Sequence, residues 1–334
     1  MQKIAEQCPN IQSFSEDGMD VDATKPPAMC SDLSLPKEVS QSISHLVGNA
    51  GEEIVERACR GLEVGQFNDR LASGMLLALL GDPRIRPGQV PQMVRVEGGQ
   101  VDLGLPYEAV DEVVSEFSDV GVIREWIEKE CPQYTIHLSP YKIAIYPVTN
   151  SEYLAFLLDN PNSEIPSSWS LGRYPTEFAN HPVFTVSEKT ADHYCEWLSD
   201  KTGLTFRLPS EPEWECAAGS KVYPWGDKFH VENANTAESK INFTTPVGIY
   251  PQGRSWVGCF DMSGNVEEYT SSNYAPYPGG VHITDDLNRD RQAYRIARGG
   301  SFARYADLCR VTRRHGRYHS DLYAMGFRVA MDAS

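Results

Sequence analysis

The sequence holds no CxxC pair and no tight cysteine cluster; its eight cysteines stand at 8, 30, 59, 131, 195, 216, 259 and 309. Zinc sites of the finger or ribbon kind, which need closely spaced thiolate pairs, are excluded by that spacing. No apolar run approaches the roughly 18 residues of a membrane-spanning helix. The opening MQKIAEQCPNIQSFSEDGMD lacks the charged-then-apolar order of a secretory leader. The expectation is a cytoplasmic protein with no membrane segment, the alternative being export by a route without such a leader. Positive charge is scarce as well. With 30 Lys and Arg against 46 Asp and Glu, the formal net charge is −16, which argues against nucleic acid as a partner because phosphate binding needs a positive footprint. What the chain does have, 41% hydrophobic residues over 334 positions, suffices to bury one large core or two smaller ones. Cys59, Cys195 and Cys216 fall in helix-like apolar patterns and are expected as buried, reduced thiols.

Residues 1–35, with DATKPPAMCSD, read as a mobile arm or linker. Over 36–89 apolar residues recur at three- and four-residue spacing in two runs broken by glycine, predicting a small helical segment that is free to dock on another protein. A larger domain is expected over 90–334. VPQMVRVEGGQVDLGLP alternates about Gly98-Gly99 and predicts a β-hairpin. Thr149-Asn150 caps a predicted helix from Ser151, and TVSEKTADHYCEWLSDKTG has the cap, early Glu and terminal Gly of another. Beyond Gly203 glycine, proline, asparagine and aromatics crowd the chain. Long helices are therefore excluded there, apart from the segment near SEPEWECAAG. In RLPSEPEWE, Ser210 and Glu213 have capping-box spacing, and GFRVAMD alternates as a final strand.

The blocks YPVTNSEYLAF, RLPSEPEWECAAG, YPWGD, NTAES with TTPVGIYP, CFDMSGNVEEYTSS, and RGGSF with CRVTRR and GFRVAMD occur in this order. Together they resemble the formylglycine-generating enzyme, or sulfatase-modifying factor, family. The resemblance implies an α+β fold, the loop-rich C-type lectin-like fold of the formylglycine-generating-enzyme type. It also implies oxygen ligands for structural calcium at Asn235, Glu238, Asn265 and Glu268, the alternative being that these side chains bond loop backbone. Glu267 stands where the family usually has Trp, either to help a cation or to face water.

Enzymes of the resembled family hold copper with two cysteines, whose places here fall on Arg304 and Cys309. Arginine ligates no metal, so no copper is expected and no catalytic residue is assigned. The alternative is a divergent oxidase or oxygenase using Cys309, activated by Arg304, Arg310, Arg313 and Arg314. The iron-dependent sulfoxide synthases of the same fold use histidines on an N-terminal bundle, and only His45 precedes residue 130. From Phe302 to Ala324 the residues Lys, Glu, Gln, Trp and Met are all absent. That gap resembles the variable proteins of diversity-generating retroelements, whose C-terminal repeats are rewritten at adenines, chiefly in Asn codons that cannot yield those five. The reading is a variable region over 298–330 that binds a protein or other macromolecular ligand. Its contact residues are Ala303, Arg304, Tyr305, Asp307, Arg314, His315, Arg317, Tyr318, His319, Asp321 and Tyr323, expected half exposed, while Arg310 and Arg313 belong to the scaffold. A non-catalytic sensor or adaptor module is the remaining alternative.

Overall fold

A computed structural model describes residues 53–285, 287, 294–317 and 323–333, together with the isolated positions 38, 41, 42, 45 and 46. Two helices open the described chain, α1 (Ile54–Val64) and α2 (Phe67–Leu80). Their apolar faces close over Ala58, Leu62, Leu76 and Leu77 and pack on Ile249 and Tyr250 of the larger domain. Close approach depends on small residues: a Cβ on Gly74 would lie 2.6 Å from Pro246, and one on Gly61 2.3 Å from Ser73 Oγ. Arg70 Nε donates to the Ile249 carbonyl at 2.6 Å, and Asn180 Nδ2 to the Gly74 carbonyl at 2.9 Å. The helical segment therefore docks on its own chain.

The predicted hairpin does not form. β1 (Met93–Val96) pairs antiparallel with β4 (Tyr141–Ala144), whereas β2 (Gly99–Leu103) pairs antiparallel with β3 (Tyr134–Leu138). The two partners run on in register, Val96 opposite Tyr141 and Gly99 opposite Leu138. Gly98-Gly99 is thus a corner within one bent ribbon. Both glycines have positive φ, +69° and +97°, which turns the strand without reversing it. Between β2 and β3 lie α3 (Val110–Glu116) and α4 (Arg124–Glu128), around Val110, Val122 and Ile127.

The predicted caps are present. In α5 (Asn150–Asp159) Thr149 Oγ1 accepts from the Glu152 N–H while Glu152 accepts from the Thr149 N–H. In α6 (Glu188–Thr202) Ser187 caps the start, and Gly203, left-handed at φ +74°, ends it. In α7 (Glu211–Ala218) Ser210 and Glu213 complete a capping box. α5 and α6 bury Tyr153, Phe156, Tyr194 and Trp197 against Tyr269 and Phe327, which forms the main core.

The last third carries β5 (Glu267–Asn273), β6 (Arg295–Arg298), β7 (Met325–Phe327) and β8 (Ala330–Asp332). β5 is central, antiparallel to β6 and parallel to β7. β8 instead joins β4 and β1. The expected final strand is accordingly two strands in two sheets, divided at Arg328. That side chain is fully buried, and its donors take the carbonyls of Ala144 and Phe260 and both oxygens of Glu268. Among the described thiols, Cys195 and Cys216 are buried as expected and Cys59 is half-buried.

Gly98→Ala should destabilise the chain more than Gly99→Ala. Both face the cost of about 1–2 kcal/mol for an L residue in the left-handed region. Only at Gly98 does the new Cβ also meet backbone, 2.3 Å from the Leu138 oxygen. Urea denaturation of the two variants measures the difference.

Candidate functional site

The segment between β6 and β7 begins at Gly299-Gly300, where φ values of +92° and +64° turn the chain. The missing Cβ of Gly300 leaves room for Cys309 Sγ, which would stand 2.6 Å from it. Backbone bonds then lace the segment to distant loops. The Ala237 N–H donates to the Arg304 carbonyl at 2.8 Å, the Val311 N–H to Val222 at 2.8 Å, and Ala297 and His315 exchange both of theirs.

Burial corrects four of the expected contact residues. Ala303, Arg304, Asp307 and Arg314 are all buried. Arg314 donates to both oxygens of Glu211, at 2.8 and 2.9 Å, and lies 4.0 Å from the centre of the Tyr277 ring. Arg298 reaches the same Glu211 and also Glu215, so two arginines and two glutamates share one buried site. Asp307 is 3.6 Å from Arg313, and Arg310 binds Glu130 at 2.6 and 2.9 Å. These arginines are placed by carboxylates, because a buried guanidinium left unpaired costs several kcal/mol. Arg310 and Arg313 are scaffold residues as expected, and Arg314 joins them. Tyr305 is exposed, at 37%, while His315, Arg317 and Tyr323 are half-buried. Tyr318, His319 and Asp321 lie outside the described residues.

Glu267, not expected as part of this site, organises what remains of it. It does not face water; it is 1% exposed and receives Arg304 Nε at 3.2 Å and His315 Nδ1 at 2.8 Å. The Arg304 guanidinium lies 4.2 Å from the centre of the Tyr323 ring, and His315 stacks on the same tyrosine at 5.4 Å. Two residues along the same face of β5, the Tyr269 hydroxyl meets Arg317. Burial alone would raise the Glu267 carboxyl, but His315 and Arg304 hold it below the usual carboxylate range. Burial lowers the His315 imidazole, against the pull of Glu267. At neutral pH the unit is therefore an ionised Glu267, a charged Arg304 and a neutral His315. The sequence signal for it was Glu267 itself, a carboxylate in an otherwise aromatic position.

A profile of the sulfatase-modifying factor enzyme 1-like domain matches residues 81–333. The chain belongs to the sulfatase-modifying factor enzyme 1-like family. Curated relatives include hercynine oxygenase of Mycobacterium tuberculosis, 30% identical over 246 residues that are 62% of this chain and 56% of that protein. The inactive C-alpha-formylglycine-generating enzyme 2 of Mus musculus is 28% identical over 320 residues, 78% of this chain and 92% of that protein. The chain thus spans about half the length of the hercynine oxygenases it matches, 56% and 54%. Among solved structures, PvdO from Pseudomonas aeruginosa aligns with a TM-score of 0.54 and 25% identity over 75% of this chain and all of that one. Treponema denticola variable protein 1 aligns at 0.50 and 21%, covering 72% and 95%, a likeness of fold.

Within this sulfatase-modifying-factor-type fold, the catalytic alternative meets a physical obstacle at Cys309. Its thiol is fully buried, beside Tyr223 and Ala306, and burial together with the carboxylates of Glu238 and Asp307 pushes it well above its ordinary range. The arginines expected to activate it are paired with Glu267, Glu130, Asp307 and Glu211 instead. A protonated, enclosed thiol is a poor nucleophile.

The expected calcium ligands are not gathered as one cage. Glu268 is occupied by Arg328 on both oxygens, at 2.6 Å each, and by Trp214 Nε1 at 2.8 Å. Asn265 Oδ1 accepts from the Thr245 N–H and Asn235 Oδ1 from Ser239, while Glu238 Oε1 accepts from the Ala306 N–H. Most of these oxygens are committed to loop backbone and neighbouring side chains, and Glu238 Oε2 alone is buried without a hydrogen-bond partner, so the four side chains by themselves fall short of the six to eight oxygens that calcium takes. No group of three or more His, Cys, Asp and Glu side chains suited to a metal ion occurs among the described residues.

Two outcomes follow. Cys309 should resist alkylation in the native protein and label only on unfolding; rapid native labelling by iodoacetamide would contradict the burial. Asp261, buried beside Asn265, has its carboxyl raised to about 6, chiefly by burial. Between roughly pH 4 and 6 the native state then binds more protons than the unfolded one, so stability falls as pH rises, by up to about 3 kcal/mol. Asp261→Asn should lack that part of the slope in chemical denaturation across this range.

Proposed function

We propose that the chain is a recognition protein, a variable protein of a diversity-generating retroelement, that binds a protein or other macromolecular ligand through Tyr305, His315, Arg317 and Tyr323. The observation that carries the proposal is the fate of the thiol position. Arg304, where the enzymes hold a cysteine, is locked to Glu267, where the family usually holds Trp, and the remaining Cys309 is closed off. Chemistry at that place is replaced by a brace, beside aromatic and basic side chains that keep part of their surface in solvent. Such side chains supply large contact area and adaptable hydrogen bonds at small entropic cost. The absence of Lys, Glu, Gln, Trp and Met from 302–324 fits rewriting at adenines between fixed ends.

The ends are fixed in the physical sense. β6 and β7 flank β5, and the residues at both ends, Arg298 and Gly326, are buried. A Cβ on Gly326 would lie 2.6 Å from the Val183 oxygen. Substitution is tolerated where side chains reach solvent and is not tolerated at these limits.

A second reading, an oxygenase, has the hercynine oxygenase relatives behind it. On this chain it would have to operate without Cys309, for the reasons of burial given above.

The test lies in the surrounding DNA. A near copy of the stretch encoding 298–330, beside a reverse transcriptase gene and differing mainly at adenines, is the expected finding. A complete gene neighbourhood without such a copy would overturn the retroelement assignment.

A further inference from the structure

We infer that Glu267 fixes His315 as a hydrogen-bond acceptor at the contact surface, so that the partner group meeting it carries an N–H or O–H. The inference rests on the reading of this face as a contact surface, and it adds the polarity of one point on it.

Glu267 Oε2 lies 2.8 Å from His315 Nδ1, and its other oxygen lies 3.2 Å from Arg304 Nε. Arginine stays charged, and an ionised carboxylate only accepts. The hydrogen between Glu267 and His315 therefore resides on Nδ1. The groups facing the imidazole are Glu267 on β5, Arg304, Arg313 and the Tyr323 ring. Burial opposes a second proton most strongly; Glu267 favours one, and the two cations, Arg304 and Arg313, oppose it. Nε2 is left with a lone pair.

The ring is also held in place. Its backbone exchanges two hydrogen bonds with Ala297, at 2.8 and 3.1 Å. One face stacks on Tyr323, with the planes inclined by 17°. The side chain remains 14% exposed, so its outer edge is within reach of a ligand. Of the neighbouring groups, Arg317 can only donate, while the tyrosine hydroxyls both donate and accept. His315 supplies an acceptor among them, and Glu267 is the positioning residue that makes it one.

Two-bond proton–nitrogen correlation spectra of the full chain, labelled with nitrogen-15, test this at neutral pH with no ligand needed. The expected result is a single Nδ1–H tautomer at His315. Carbethoxylation by diethyl pyrocarbonate should occur on His315 and spare His181, which is buried with Nε2 enclosed. Glu267→Gln should lose the single-tautomer pattern, a change that a purely packing role would not produce; the wild-type spectrum decides the matter if that variant fails to fold. An Nε2–H tautomer, a doubly protonated ring at neutral pH, or an unreactive His315 would overturn the inference. The DNA neighbourhood is read independently, so failure there and failure here remain distinguishable.

Discussion

Buried arginine–carboxylate pairs hold this molecule together where regular structure does not. Among the described residues, the last third of the chain carries short strands and single 3-10 turns, and its loops do not satisfy one another through long ladders. Arg298 and Arg314 meet Glu211 and Glu215 of α7, Arg310 meets Glu130 just beyond α4, and Arg328 meets Glu268 of β5. Each pair ties a loop or strand of the C-terminal segment to an element formed much earlier in the chain. Such pairs are not a large source of net stability, since desolvation offsets the attraction. Their effect is specificity: loops displaced from this arrangement would leave a charge buried alone.

Within that framework, the two departures from the family's pattern prove to be partners. Arg304 at a thiol position and Glu267 at an aromatic one each look unfavourable separately, a cation and an anion placed in the interior. Together they neutralise each other, and Tyr323 and His315 cover the pair. The pair forms one buried unit beneath the half-buried Tyr323 and His315 side chains.

Much of the architecture was legible in the sequence because it depends on local rules. Thr149, Ser187 and Ser210 cap helices that side-chain spacing announces, and Gly203 ends one where a left-handed residue is required. Ordered motifs conveyed the fold. The glycine corner was misread because Gly-Gly suits both a tight turn and a bend, and only the register with β3 and β4 separates them. The site was less legible still. Arg304 and Arg314 have the composition of contact residues, and nothing nearby in sequence discloses carboxylates 37 and 103 residues away. Exposure of an arginine is a long-range property. Tyr305, by contrast, needed no distant partner, and its exposure was expected.

The division of the final strand has a consequence for any process that rewrites the preceding segment. Everything that closes the fold, Gly326, Arg328 and the strand that completes the β1–β4 sheet, follows Tyr323, the last of the contact residues. Point changes upstream leave this closing material intact. An insertion or deletion that shifts the reading frame erases it, stranding Glu268 and opening two sheets at once. A frame-shifted product would therefore fail as a folding unit, because neither sheet could be completed.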